Sequence, residues 1–132
     1  MTPELRLLVW SIALALAQML LALFAAVAQV GLRPLVGNRA SLPDLTGWAA
    51  RAQRAHRNML ESLPLFAALV IAGQLAGRSN AVTALGAQLF FWGRLAYAPV
   101  YVIGVPWLRT ALWGVSFVGL LQILFQLLRG AS

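Results

Sequence analysis

The chain has no cysteine and no lysine, one histidine, and only three acidic residues among its 132. Without cysteine it can form no disulfide, no zinc–thiolate site and no cysteine nucleophile. Any thiol chemistry therefore needs a thiol brought by a ligand. His56 stands alone and off the main polar face, so no metal site is expected, and a headgroup contact suits it better. Charge is scarce as well: 10% of residues are charged and 61% are hydrophobic, with a mean hydropathy of +0.82. A soluble domain of this size cannot bury that much apolar surface, so the class is integral membrane protein.

What charge there is has one dominant sign. The net charge is +7, and all 10 basic residues are arginine. Genome composition would account for arginine alone. So would a demand for the planar guanidinium fork, which suits carboxylates and phosphates. The arginines are spread among apolar segments and form no soluble basic face, which speaks against nucleic-acid binding.

Hydropathy and punctuation divide the chain into four helices, at about 5–30, 46–76, 81–102 and 106–128, within a single domain covering 1–132. The first is too long for the apolar core of a signal peptide and is read as a span. Pro34, Gly37, Asn38, Pro43 and Gly47 punctuate the first loop. Gly77-Arg78-Ser79-Asn80 reads as a tight turn with Asn80 as N-cap. Pro99 is expected to bend or break the third helix, and Pro106 to begin the fourth. Short connections predict an all-α integral membrane fold, an antiparallel four-transmembrane-helix bundle. Arg33, Arg39, Arg51, Arg54, Arg57, Arg94 and Arg109 then collect at one end, and Arg6, Arg78 and Arg129 at the other. The positive-inside rule places the first and third loops in the cytoplasm and both termini outside.

The second helix carries the main polar constellation. Its apolar run, residues 62–76, reaches only ~22 Å at ~1.5 Å per residue, against a hydrocarbon core of ~30 Å. Charged residues before it must be drawn toward the bilayer, where an unpaired charge is costly. Arg51, Arg54, Asn58 and Glu61 are spaced to share an arc of about 80°. The same stripe continues as Leu65, Ala68, Ala72 and Leu75, a face suited to close helix packing. Arg94, Tyr97 and Tyr101 form a similar stripe on the third helix. Facing one another, the two stripes would line a cationic, phenol-walled cleft for a small anion. Arginine grips carboxylates there, tyrosine hydroxyls donate to a developing anion, and a nearby guanidinium favours a bound thiolate. The structural alternative is that Glu61 pairs with Arg54 or Arg94, and Asn58 bonds across helices, only to lock the bundle. Gln18, Gln122 and Gln126 are expected to bond another helix or subunit, and the tryptophans to act as interfacial anchors or packing residues.

Residues 51–66, with Arg51, Arg54-Ala55, Asn58, Glu61, Pro64 and Phe66, resemble the helix-two signature of the MAPEG family, the membrane-associated proteins in eicosanoid and glutathione metabolism. Arg94, Tyr97 and Tyr101 resemble its helix-three motif, and the four-helix layout agrees over essentially the whole chain. Gly37-Asn38-Arg39 and residues 97–109 look most like bacterial members, which implies a bacterial inner membrane. The resemblance implies a homotrimer that binds glutathione between neighbouring subunits near the cytoplasmic face. By position, Arg54, Asn58, Glu61, Tyr97 and Tyr101 match glutathione-contacting residues, and Arg51 and Arg94 flank them. Gln53 matches a contacting position in some members. A further arginine activates the thiol in the family's enzymes. Arg109 and Arg33 are the candidates here, although the spacing from Tyr101 to Arg109 does not match cleanly. Ser62 stands where glutathione-conjugating eukaryotic members often carry tyrosine, so one phenol is missing.

The resulting expectation is glutathione-transferase-like chemistry, conjugating glutathione to a lipophilic electrophile from the bilayer or reducing with it. A non-enzymatic lipid or fatty-acid binder using the same cleft is the second reading. A purely structural or assembly protein is the third. The polar residues cluster toward one side and trace no path across the membrane, which disfavours a transporter.

Overall fold

In a computed structural model, which describes residues 1–37 and 44–130, the chain folds into helices joined by short turns. They are α1 (Pro3–Val30), α2 (Arg33–Val36), α3 (Gly47–Leu75), α4 (Ala81–Ile103) and α5 (Pro106–Gly130). Local chemistry sets most of the ends. Thr2 accepts the Leu5 amide through its hydroxyl, with Pro3 opening α1 where no amide partner is needed. Asn80 closes a capping box at the start of α4: its side chain accepts from the Val82 and Thr83 amides, and the Thr83 hydroxyl accepts from the Asn80 amide. Gly104, at φ 93°, ends α4 in the left-handed region that glycine tolerates best, and Pro106 begins α5. The expected boundaries thus hold to within two residues. The one-turn helix α2 was not anticipated in the first loop, and Arg39 lies outside the described residues.

α4 runs without a break through Pro99 to Ile103. Pro64 likewise sits inside α3. Proline removes one backbone hydrogen bond, but neighbouring helices hold such segments together in a membrane bundle.

α3 and α4 form the centre, with α1 packed on one side of them and α5 on the other. The core is built from Leu8 and Ala15 of α1, Met59, Phe66 and Val70 of α3, Ala87 and Phe90 of α4, and Leu120 and Ile123 of α5. Phe66 and Phe90 stack at its centre, with ring centroids 4.1 Å apart. α4 and α5 approach closest, because Gly86 and Gly93 meet Gly119 and Ser116 with almost no side chain between the backbones.

Polar groups tie the two ends of the bundle. At one end, the Gln29 amide brackets Thr46, donating to its carbonyl at 2.7 Å and accepting its amide at 2.9 Å. This joins the last turn of α1 to the start of α3 across the first loop. At the other end, Glu4 is buried and accepts from the Ser79 and Thr83 hydroxyls at 2.8 and 2.9 Å. Gln122 donates to the Val82 carbonyl, and Gln126 accepts from the Asn80 side chain, so both bond the start of α4 as expected of them.

The outside is apolar. Trp10, Phe24, Leu65, Leu75, Phe125 and Leu128 are among many large exposed hydrophobics. α1, α3 and α5 are long and apolar enough to cross a membrane. α4 falls below the same measure because Gln88 and Arg94 dilute an otherwise apolar helix.

Candidate functional site

The two polar stripes do face one another. Arg94 of α4 is 3% exposed, and its Nη1 donates to Asn58 Oδ1 of α3 at 2.6 Å. Its guanidinium also lies over the Tyr97 ring, 5.0 Å from the centroid. Tyr97 is buried and its ring is tilted against Tyr101, centroid to centroid 5.4 Å. Arg54 Nε donates to the Tyr101 hydroxyl at 3.3 Å, and Arg109 of α5 covers the other part of that ring at 4.6 Å. Three guanidinium groups and two phenols are therefore gathered where α3, α4 and the start of α5 meet.

Arg94, Tyr97 and Arg109 line a cleft made of two hollows that meet at Asn58 and Trp113, while Arg54 and Tyr101 line neither hollow and join the cluster through the Arg109 guanidinium on the Tyr101 ring. The hollow nearer the α4–α5 turn, about 330 Å³, is lined by Asn58, Tyr97, Arg109, Thr110 and Trp113. The deeper one, about 200 Å³, has Glu61, Ser62, Arg94 and Ser116 on its polar side and Leu65, Phe117 and Leu120 on its apolar side. The cleft thus grades from cationic and phenolic to apolar along its length.

Glu61 makes no ion pair among the described residues, so the expected lock through Arg54 or Arg94 is not formed. Asn58 takes the place of an acid partner for Arg94, and Arg94 Nε is buried without any acceptor. A buried guanidinium donor left open beside a hollow is suited to a carboxylate or another anion.

Three expected contributors lie elsewhere. Arg51 Nε donates to the Val102 carbonyl at 2.7 Å, and its side chain lies against Gly104. It satisfies a carbonyl in the last turn of α4, where a cation is favoured by the helix dipole. Gln53 is exposed and lines neither hollow, being turned about 200° around α3 from Arg51. Arg33 sits exposed on α2 and also lines neither. The continuation of the α3 stripe differs too. Leu65, Ala68, Ala72 and Leu75 are exposed, and Phe66, Val70 and Gly73 make the buried face instead.

Comparison with protein-family models gives a match to the MAPEG family over residues 7–129. The chain belongs to the MAPEG family. No match appears among the curated proteins or the solved structures.

In this MAPEG chain α5 contributes more of the cleft than its sequence announced. Trp113, Ser116, Phe117 and Leu120 recur at helical spacing and line one wall. That periodicity was available in the sequence, but Trp113 reads equally well as an interfacial anchor. Ser62, where some MAPEG proteins carry tyrosine, donates to the Met59 carbonyl at 3.1 Å and leaves room in the deeper hollow.

Proposed function

We propose that this MAPEG protein binds glutathione in the cleft between α3, α4 and α5 and uses it against a lipophilic electrophile. The observation that carries the reading is the buried Arg94 guanidinium, held by Asn58 with its Nε open, in a cleft also lined by Tyr97 and Arg109. Arg54 and Arg94 would grip carboxylates, and Glu61 would accept from an ammonium group. Arg109, stacked on Tyr101 at the mouth, would lower the cost of a thiolate nearby. The Tyr97 and Tyr101 hydroxyls would donate to the same charge. Bound glutathione would supply a sulfur nucleophile: its thiol proton is lost to solvent, the thiolate bonds to the electrophilic carbon, and that carbon gives up either a leaving group with its bonding pair or the π pair of an activated double bond, which is then protonated. Leu65, Phe117 and Leu120 would hold the apolar part of that electrophile as it enters from the bilayer.

The same reading takes all four long helices as spans, with the cleft in the cytoplasmic half of a bacterial inner membrane. It also takes the assembly as a homotrimer. Arg33, Gln53 and the exposed face of Ala68, Ala72 and Leu75 line neither hollow of the cleft. A neighbouring subunit packed along α3 would cover that face and bring those two polar residues toward the next cleft.

A second reading is a fatty-acid or lipid-anion binder, favoured by the deeper hollow's apolar wall. Calorimetric titration of the purified protein with glutathione distinguishes the two. Saturable binding that Arg54→Ala loses, while the variant keeps its melting temperature and oligomeric state, is the expected result. No binding in the parent sinks the glutathione reading. A fatty acid that then binds, with the same Arg54 dependence, establishes the second.

A further inference from the structure

On another side of the bundle, α1 and α4 enclose two apolar hollows that share Leu14 and Ala17 and no residue of the cleft. One, about 620 Å³, runs from Arg6 past Trp10 and Trp92 to Ala17. The other, about 360 Å³, continues to Leu21 and Ile103, with Ala52 and Ala55 of α3 as part of its wall. Together they follow α1 from residue 3 to 21, ~27 Å at ~1.5 Å per residue. That is close to the ~30 Å depth of bilayer hydrocarbon, and so long enough for one extended lipid chain, which fills about half that depth.

Gln18 interrupts the apolar wall of the second hollow. It is 7% exposed, and its Oε1 is buried with no hydrogen-bond partner. Buried amide oxygens are nearly always paired, so an orphan at the wall of an apolar groove points to a partner from outside the chain. At the far end lies Arg6, and the Trp92 indole is fixed by donating to Gln88 Oε1 at 2.7 Å.

We propose that this groove is a binding site for a hydroxyl-bearing lipid. The hydroxyl pairs with the Gln18 amide, and the apolar chain lies between α1 and α4 toward Trp10, Trp92 and Arg6. A hydroxyl both donates and accepts, so it satisfies the amide in either of its two orientations. An anionic head would lack a cation beside Gln18, and a plain hydrocarbon would leave the amide unpaired.

The probe is a dibrominated octadecanol, titrated into the protein in lipid nanodiscs, with the matching brominated alkane as control. Quenching of tryptophan emission reports occupancy, and replacing Trp10 and Trp92 by phenylalanine identifies their share. The expected result is saturable quenching by the alcohol, with half-saturation raised about five- to tenfold in Gln18→Leu. The alkane should respond alike in parent and variant. If Gln18→Leu does not fold, Gln18→Met carries the same test, and Ala17→Phe should block the junction of the hollows. Stronger competition by a reduced long-chain quinol than by an unbranched alcohol would assign a ring to the ligand; the reverse would assign a simple alcohol. The proposal is overturned if quenching rises without saturation, or if alcohol affinity is unchanged in Gln18→Leu. It is equally overturned if crosslinks from a cysteine placed at Ala13 show a second copy of the chain filling the groove.

Discussion

Arg94 and Asn58 form the shorter of two direct polar links between the two stripes, Nη1 to Oδ1 at 2.6 Å, against 3.3 Å from Arg54 Nε to the Tyr101 hydroxyl. The guanidinium is 3% exposed, so the amide oxygen replaces water that the charge has lost. Asn58→Leu should destabilise the protein by ~1.5–3 kcal/mol, the range for a hydrogen bond to a charged group. Arg94→Leu should cost similarly, and the double variant less than the sum, because both halves of one bond are then gone. Thermal unfolding of the four proteins in one detergent measures the coupling. Additive losses would mean that the contact contributes nothing of its own.

Tyr101 serves two arginines by different parts of its side chain. The hydroxyl accepts from Arg54 Nε, and the ring lies under Arg109. Tyr101→Phe should therefore keep Arg109 in place while releasing Arg54. Tyr101→Leu should release both, with a further loss of ~0.5–2 kcal/mol in ligand affinity from the missing cation–π contact. Glutathione affinities should rank parent, then phenylalanine, then leucine. Equal affinities for the two variants would remove Arg109 from the site.

Glu4 fastens the other end of the bundle through two hydroxyl groups. Its two oxygens accept from Ser79 and Thr83, near the amino ends of α1 and α4. Helix amino ends favour a negative charge, which helps a buried carboxylate to stay ionised. Glu4→Gln keeps the shape but replaces one acceptor with a donor facing a hydroxyl. It should lower stability by ~1–3 kcal/mol. Thr83→Val should cost more than Ser79→Ala, because Thr83 also closes the capping box. Melting temperatures of the three variants check the order, and glutathione affinity should stay at the parent value in each.

The starts of α4 and α5 were legible because their signals are local, Asn80 and Pro106, whereas α1 opens at Thr2-Pro3, two residues before the expected start. The facing stripes were legible from angular spacing, which set Arg54, Asn58 and Glu61 on one face and Arg94, Tyr97 and Tyr101 on another. Periodicity defines a face but not its cover, so the stripe Leu65, Ala68, Ala72 and Leu75, suited to close helix packing, lies exposed on the single chain. The Glu4 cluster was missed because it joins residues 75 and 79 positions apart, and nothing near Glu4 signals them. Pro99 does not break α4, because groups around a helix in a membrane bundle can make good the backbone bond that proline removes. The wall from α5 was visible only as a period that packing would also produce.

The contact between α4 and α5 depends on the absence of side chains at two facing positions. A Cβ on Gly119 would lie 2.5 Å from the Gly86 carbonyl oxygen and 2.9 Å from the Phe90 amide nitrogen. One on Gly86 would lie 2.8 Å from the Gly119 oxygen and 2.7 Å from Ile123 Cγ1. The obstacles include backbone, which cannot turn aside, so the helices must separate along the length of the cleft's rear wall. Gly86→Ala and Gly119→Ala should each cost ~1–3 kcal/mol or prevent folding. Gly114, on the same helix as Gly119, has open space where its Cβ would go. Gly114→Ala should then be neutral or stabilise by ~0.5–1 kcal/mol, since alanine restricts the unfolded chain and favours helix. Scanning fluorimetry of the three variants in one detergent separates these cases. A loss at Gly114 equal to that at Gly119 would show that helix α5 resents any alanine, and that close approach to α4 is not what selects glycine.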